Sequence, residues 1–581
     1  MDLTLFPHRL AVVAGLLLAF TSAHAAPGDL ARLDADKAAY APGAPVHFTA
    51  SLRALPAGTQ LIVSYYHLNT RLSQQTVPVK GTTAQWTWQP PKTDYQGYLV
   101  KVEAHNGAQV LDQATTAVDV SSDWKQFPRY GFLSKYGKLS AADMDGVMRQ
   151  LNRYHLNGLQ FYDWGDTHQR SLAGTPAQPA AEWRDLANRP SYFATVQGYI
   201  NRAHQYGMKA MFYNLLYGAY PNTPGIKPEW GLYRDSLHQK RYAFDGFPAG
   251  WEAPGLDMED PGNPGWRSYL FQGVNDVYAA KNLNFDGWHV DQVGDPGKLY
   301  AYTGQRTDPS KSFGVFLKEA KQAQPSRPLV MNAVNQWGQE QIATAPVEFL
   351  YAELWTDNEQ YSSLGQAVQY NESLAPGKRT VLAAYVNREK SNQPGQFNEA
   401  SVLMADAVIF AFGGGHIELG EHLLDTEYFP NGKLQMSASL QQQMQAYYDF
   451  TVAYENLLRG PDRKFEPVQV SGDATLAAWP PQQGKVAAVG AQAAGRRVVH
   501  LLNFVDAKTL EWRDNKAQQP VPTVRRNVAV QLAAPQKVSR VWLASPDFGQ
   551  GAPQELKFTQ QQGQLSLTVP ELHYWDMLVL E

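Results

Sequence analysis

The chain has no cysteine among its 581 residues. Disulfides, thiolate nucleophiles and Cys-based metal sites are therefore excluded. Charge of one sign is also missing. Charged residues make up 18%, the formal net charge is −4, and no basic block occurs. A nucleic-acid partner, whose phosphates demand clustered Lys and Arg, falls away. Long apolar runs are scarce too. The one near the N-terminus, Leu10 to Phe20, follows His8 and Arg9 and precedes the small-x-small site Ala23-His24-Ala25. It reads as a secretory signal over residues 1–25, shorter than the roughly 20 apolar residues a membrane-spanning helix needs. The expectation is an exported, bacterial, periplasmic or secreted protein, free of the membrane once the signal is removed, and a monomer. No zincin His pair, Asp-rich calcium loop, Gly-x-Ser-x-Gly elbow or Walker loop is visible. No metal and no cofactor is expected, and serine-hydrolase and nucleotide-hydrolysing readings drop out.

Aromatic residues, by contrast, are plentiful at 12%, with 15 Trp. Large cores explain them, and so would flat platforms for sugar rings; composition alone favours cores. The length allows three or four domains at about 150 residues each. Residues 27–122 carry short β-patterned runs, such as Val46–Leu52, Leu61–Leu68 and Tyr98–His105, separated by Pro-Gly and Asn-Gly turns. They predict an Ig-like β-sandwich. From residue 123 the rhythm changes to strands alternating with helices, which predicts a central (β/α)8 TIM barrel over 123–458. Residues 459–581 return to strand patterns and predict an antiparallel β-sandwich. The third and fourth barrel strands are separated by a long aromatic insertion that includes Tyr217, Tyr220, Trp230, Phe244 and Trp251. It leaves the carboxyl end of a strand and should overhang the active face.

The fourth strand pattern, Phe285 to Val293, ends in Asp291 just before the loop signal Gly294-Asp295-Pro296-Gly297. Carboxylates at the carboxyl ends of barrel strands are where this architecture places its chemistry. Glu353 lies in Leu350-Tyr351-Ala352-Glu353-Leu354-Trp355, near the end of the sixth strand. Glycoside hydrolysis needs two carboxyl groups flanking one bond. Asp291 as nucleophile and Glu353 as acid/base satisfy that requirement, with apolar neighbours raising the proton affinity of Glu353. His289, two residues back on the same strand face, is the expected donor beside Asp291. Pattern alone leaves Asp163, Asp295 and Glu418 as rivals, because barrel mouths hold many acids. Asp286 opens its strand at the opposite, structural face, and Glu421 and Asp425 fit either role.

Three stretches carry a family resemblance. Val120-Ser121-Ser122-Asp123-Trp124 followed by Phe127-Pro128-Arg129-Tyr130-Gly131-Phe132, then Asn157 to Trp164, then Gly287 to Gly294, resemble the catalytic barrel of glycoside hydrolase family 66. That family holds endo-dextranases and cycloisomaltooligosaccharide glucanotransferases. The resemblance implies retaining cleavage of α-1,6-glucan, with Asp291 as nucleophile and Glu353 as acid/base. Between Trp164 and His168 this chain has Gly165-Asp166-Thr167, where a bulkier loop is expected, so subsite detail near Asp163 departs from the pattern. Candidate sugar-binding residues are Asp163, Trp164, His168, Asn214, Tyr217, His289, Asn332, Trp355, Tyr385 and Glu418, with Asn335, Asn387 and His416 behind them.

The expected function is thus a secreted dextranase-type hydrolase acting on dextran or isomalto-oligosaccharides. One alternative is a cyclising transglucosylase, which commonly carries an added β-rich insertion that is not visible here. The other is a non-catalytic glucan-binding protein, which the presence of both acids argues against.

Overall fold

The structure, a computed structural model, describes residues 30–53 and 55–581. The expected signal segment lies outside the described residues. At the centre are eight parallel strands: β1 (Tyr130–Leu133), β2 (Gly158–Phe161), β3 (Lys209–Leu215), β4 (Gly287–Asp291), β5 (Leu329–Val334), β6 (Leu350–Glu353), β7 (Thr380–Ala383) and β8 (Gly415–His416). They pair in sequence order as one sheet. The sheet is nearly closed: Phe132 N of β1 donates to Leu419 O, three residues past β8, at 3.0 Å. The result is a multidomain chain built around a parallel barrel.

Helices separate these strands, as parallel pairing requires. Helix α1 (Ala141–Arg153) starts at Ser140, whose hydroxyl and Asp143 carboxylate form a reciprocal capping box. It buries Met144, Met148 and Leu151 at helical spacing. Helices α2 (Phe193–Gln205), α3 (Pro264–Ala279), α4 (Phe313–Ala323), α5 (Gln339–Ala343) and α6 (Tyr361–Leu374) follow in turn. Helix α7 (Glu399–Ala411) is buried from Ala400 to Ala411. It has no polar stripe because the barrel covers one side and C-terminal strands cover another. Helix α8 (Ala438–Ala453) packs on the last two N-terminal strands, and the short α9 (Glu455–Arg459) completes the junction.

The N-terminal residues form a three-stranded and a four-stranded antiparallel sheet. Their facing side chains, among them Val46, Phe48, Leu61, Val63, Val100 and Val102, make one apolar core. The strand Thr70–Pro78 is absent from the sequence expectation. It is an almost wholly exposed edge strand of polar residues, so it has no hydrophobic alternation to detect. The C-terminal residues build two sheets, antiparallel except where Leu476–Ala478 runs parallel to Val486–Ala493, over a shared core that includes Val486, Leu501, Val530, Leu567 and Leu578. Between two of their strands, Arg496–Asn503 and Arg525–Ala533, runs a long loop that leaves the sheets and reaches the barrel mouth.

Candidate active site

Inside the barrel the side chains obey the period-two rule of a strand. Tyr130, Phe132, Met211, Tyr213, Val330, Tyr351, Val381, Tyr385 and Ile417 share one inner cluster. Residues of alternate parity, including Phe161, Phe212, Trp288 and Val290, pack outward under the helices. Asp291 and Glu353 are both of inner parity and end β4 and β6. They meet through Asn332 of the intervening β5. Its Nδ2 donates to Asp291 Oδ1 at 2.8 Å and to Glu353 Oε2 at 2.9 Å. The two carboxylate oxygens are therefore no more than about 5.7 Å apart (2.8 plus 2.9 Å). The two N–H bonds of a planar amide diverge, which puts the separation on the order of 5 Å. Retaining glycosidases hold their carboxyls about 5–5.5 Å apart, inverting ones about 6.5–9.5 Å.

The two acids differ in their partners. Asp291 also accepts from Tyr213 Oη at 2.6 Å and from the Gln292 backbone N–H at 2.8 Å. Burial pushes its proton affinity up, and these donors pull it back by favouring the ionised form. Glu353 accepts from Tyr385 Oη at 2.7 Å. Burial, and then the charge on Asp291, raise it to about 7, against the pull of its hydrogen bonds. Near neutral pH the pair therefore suits an ionised Asp291 beside a protonated Glu353, one acid and one base from two carboxyls.

Above the acids opens a cleft of about 530 Å³. Asp163, His168, Trp355, Arg388, Glu427 and Tyr428 line its sides. The insertion after β3 adds Phe244, Phe247 and Trp251, so it overhangs the mouth as its position implies. Trp251 packs against both Phe247 and Tyr428 at 4.9 Å with the rings tilted by 33° and 43°, making a continuous aromatic wall. Asp163 has a left-handed backbone (φ 45°) and is pushed up to about 8, chiefly by burial and then by Asp185. His168 accepts the Leu215 N–H on Nδ1, and burial lowers it to about 4. A rim pair, Arg388 Nε to Glu427 Oε2 at 2.8 Å, ties the loops after β7 and β8.

Several expected residues are not where the sequence reading put them. His289 has inner parity but sits one layer below Asp291. It stacks on Tyr130 at 5.7 Å, bonds Tyr130 Oη through Nδ1 at 3.1 Å, and is held neutral by burial. The donors on Asp291 are Tyr213, Asn332 and Gln292 instead. Asn214 has outer parity: it accepts from Trp288 Nε1 at 2.6 Å and donates to His168 O at 2.9 Å, behind the cleft wall. Trp164 packs outward at 4.8 Å from Phe285. Tyr217 is buried and accepts the Val293 N–H at 2.9 Å, fixing the loop after Asp291. Glu418 and His416 share outer parity, opposite Ile417, and point toward the helices. Asn332 and Tyr385 touch the acids rather than open space. Asn335 Oδ1 accepts the Trp355 N–H, and Asp295 closes its own turn on Gly297. Asp286 does lie where expected, away from the mouth, paired with His204 and Lys209.

Tyr213, Arg388, Glu427, Tyr428 and Phe247 were missed by the sequence reading. Tyr213 was legible in principle, since counting back by two from Leu215 reaches the inner face. The rim residues come from loops and carry no such signal.

Among the described residues one other cluster joins His and carboxylates: Asp406 of α7, with His416 and Glu418. His416 Nδ1 lies 2.8 Å from Asp406 Oδ1 and 3.2 Å from Glu418 Oε2, and Tyr448 Oη donates to Glu418 Oε1 at 2.9 Å. Burial works against a charge on His416, but Glu418 and Asp406 outweigh it and hold the ring protonated.

Comparison with known proteins gives a consistent family. A cycloisomaltooligosaccharide glucanotransferase of Niallia circulans is 28% identical, over 95% of this chain and 72% of its own length. A dextranase of Streptococcus salivarius is 22% identical, over 84% of this chain and 68% of its own. The solved structure of a cycloisomaltooligosaccharide glucanotransferase from Paenibacillus sp., complexed with cycloisomaltoheptaose, superimposes with a TM-score of 0.87 at 25% identity, covering 95% of this chain and 99% of that one. The model of glycosyl hydrolase family 66 matches residues 35–579, so the chain belongs to that family and is a glycoside-active enzyme.

Proposed function

We propose that the protein is a retaining, endo-acting hydrolase of α-1,6-glucan, of the dextranase type. Its fold is then a (β/α)8 barrel flanked by an Ig-like N-terminal sandwich and a C-terminal sandwich. The observation that carries the reading is the Asn332 bridge, which keeps the two carboxyls at retaining rather than inverting distance. In the first step the Glu353 carboxyl gives its proton to the glycosidic oxygen as the C1–O bond breaks, and an Asp291 oxygen bonds C1. In the second step water attacks C1, Glu353 takes the water's proton, and the Asp291 ester bond breaks. Two inversions return the α configuration. The aromatic wall of Phe244, Phe247, Trp251 and Tyr428 suits the faces of successive glucose rings.

A second reading is intramolecular transglucosylation, in which a sugar hydroxyl replaces water. The names and higher identity of the glucanotransferase relatives favour it. One observation favours hydrolysis. The alignment to the Niallia circulans protein runs over 716 positions against a chain of 581 residues, so at least 135 positions (716 − 581) have no counterpart here. The dextranase alignment, at 565 positions over 84% of this chain, about 488 residues, leaves a smaller excess of about 77 (565 − 488).

Dextran digestion with product profiling and NMR of the first-formed anomer tests the proposal. Linear products with the α anomer appearing first are expected. Predominantly cyclic products would establish the second reading, and a β anomer first would overturn the retaining mechanism.

A further inference from the structure

The connection between the C-terminal strands Arg496–Asn503 and Arg525–Ala533 spans residues 504–524. The two strands lie in different sheets, so this is a crossover between them, and structureless connections beyond about 12–15 residues are usually functional. Its ends rest on their own domain, where the Phe504 N–H donates to Lys485 O and Asn503 Nδ2 to Thr523 O, but its middle leaves it. It runs along the barrel mouth and replaces solvent as the partner of the loops after β6 and β7. Leu510 O accepts the Tyr361 N–H at 2.8 Å, and Trp512 Nε1 donates to Asn358 O at 2.6 Å. Asn387, left-handed at φ 57°, donates its backbone N–H to Arg513 O at 2.7 Å and its Nδ2 to Asp514 O at 2.8 Å.

At the centre of the contact is Arg513, only 3% exposed. Its Nη2 donates to Leu354 O at 2.9 Å, the carbonyl directly after Glu353. Its Nη1 lies 3.5 Å from Tyr385 O, the backbone of the residue whose phenol holds Glu353 Oε1. Its Nε donates to Glu359 Oε1 at 3.2 Å. The guanidinium also stacks 5.1 Å from the ring of Trp355, which lines the cleft and has Arg388 over it at 4.9 Å. Burying a cation costs free energy that loop packing alone does not require, since an apolar side chain would fill the same space. A guanidinium, however, presents planar donors in fixed directions and can fasten several acceptors at once. Here two of the acceptors are the main-chain anchors of Glu353 and of Tyr385.

We propose that Arg513 is a positioning residue through which the C-terminal domain sets the aim of Glu353 on the glycosidic oxygen. The inference rests on the proposed acid role of Glu353. The C-terminal domain is then part of the active site rather than an appendage. Proton donation by Glu353 matters most for a poor leaving group such as a sugar alkoxide and little for an activated phenolate. A misaimed acid therefore slows one substrate class selectively, whereas loss of folded enzyme slows both alike.

The test measures kcat/KM, which reports the glycosylation step, for an isomalto-oligosaccharide and for the same sugar carrying a 4-nitrophenyl leaving group. Arg513→Met, which keeps the bulk, is expected to lose about 10–100-fold on the first substrate and less than about threefold on the second. Arg513→Lys should fall between Arg513→Met and the parent, and it serves as the reading if the Met variant does not fold. Equal losses on both substrates, or no loss on either, would overturn the inference. Glu353→Gln, assayed in parallel, separates the two claims: if it retains parent activity on the oligosaccharide, the acid assignment itself fails.

Discussion

Asp291 with Glu353, and Asp406 with Glu418, are two close pairs of carboxylates on opposite sides of the same barrel wall, all buried but the half-buried Asp291. Each pair is bridged by one nitrogen-bearing side chain. In the first the bridge is Asn332, a neutral amide. In the second it is His416, which the acids hold protonated. An imidazolium cancels charge as well as donating hydrogen bonds. An amide donates to both acids and cancels nothing. Repulsion acts in both pairs all the same: burial, and then the charge of Glu418, raise Asp406, as burial and the charge of Asp291 raise Glu353. That repulsion, added to burial, puts Glu353 near 7 and makes it a proton donor at neutral pH. Access completes the difference: the first pair lies at the floor of the cleft, and the second is sealed beneath α7 and α8. Two close acids do not make a site. An open face does.

Removing one carboxyl from each pair should break this symmetry most visibly. Glu353→Gln is expected to lose about 10²–10⁴-fold in kcat on dextran, and Asp291→Asn about 10⁴-fold or more, with unfolding temperatures at or above the parent's. Glu418→Gln should do the reverse. Its loss leaves the His416 charge with one partner fewer in a buried setting, which costs about 3–5 kcal/mol, while kcat stays within a few-fold. Activity and thermal unfolding measured on all three variants decide it. A Glu418→Gln enzyme that is stable but inactive would move the catalytic assignment to the wrong side of the wall.

The pH profile sharpens the same contrast. Glu353 must be protonated to donate, so kcat/KM should fall as pH rises through about 7. The Tyr385 phenol favours the ionised form of Glu353. Tyr385→Phe should therefore raise the pH at which Glu353 loses its proton and move the alkaline limb upward, by about 0.5–1 unit. A limb that stays in place would mean that Glu353 does not set it. The His416 cluster, buried away from the cleft, should leave no mark on this profile.

The eight-strand rhythm and the acids at the ends of β4 and β6 were legible because strand parity and apolar patterning are local properties. Parity also explains the misplacements. Asn214 and Glu418 are one position out of phase with the inner face, and His289 is in phase but one layer too deep. The rim and the brace were not legible. Arg388, Glu427 and Arg513 stand in loops, where no period links sequence to direction, and Arg513 reaches the site from a domain more than a hundred residues away in sequence.

Asp163 gives the smallest and most conditional effect. Like Glu353 it is a buried acid on the cleft, but no cation bridges it: His168 Nε2 is 3.8 Å away and that ring is neutral at working pH. Its folded proton affinity, about 8, lies above the ordinary 3.8. Between those values the folded protein keeps a proton that the unfolded chain has released. Stability is then greatest at the acidic end of that range and declines as pH rises toward 8. Asp163→Asn removes the titration, and Asn tolerates the left-handed backbone at φ 45° at least as well. The variant should therefore gain about 1–3 °C in unfolding temperature at pH 8, gain less at pH 5, and show weaker glucan affinity because one acceptor at the cleft wall is lost. If the gain were the same at both pH values, Asp163 would be ionised throughout, and the wall beside Asp291 would be more polar than its burial implies.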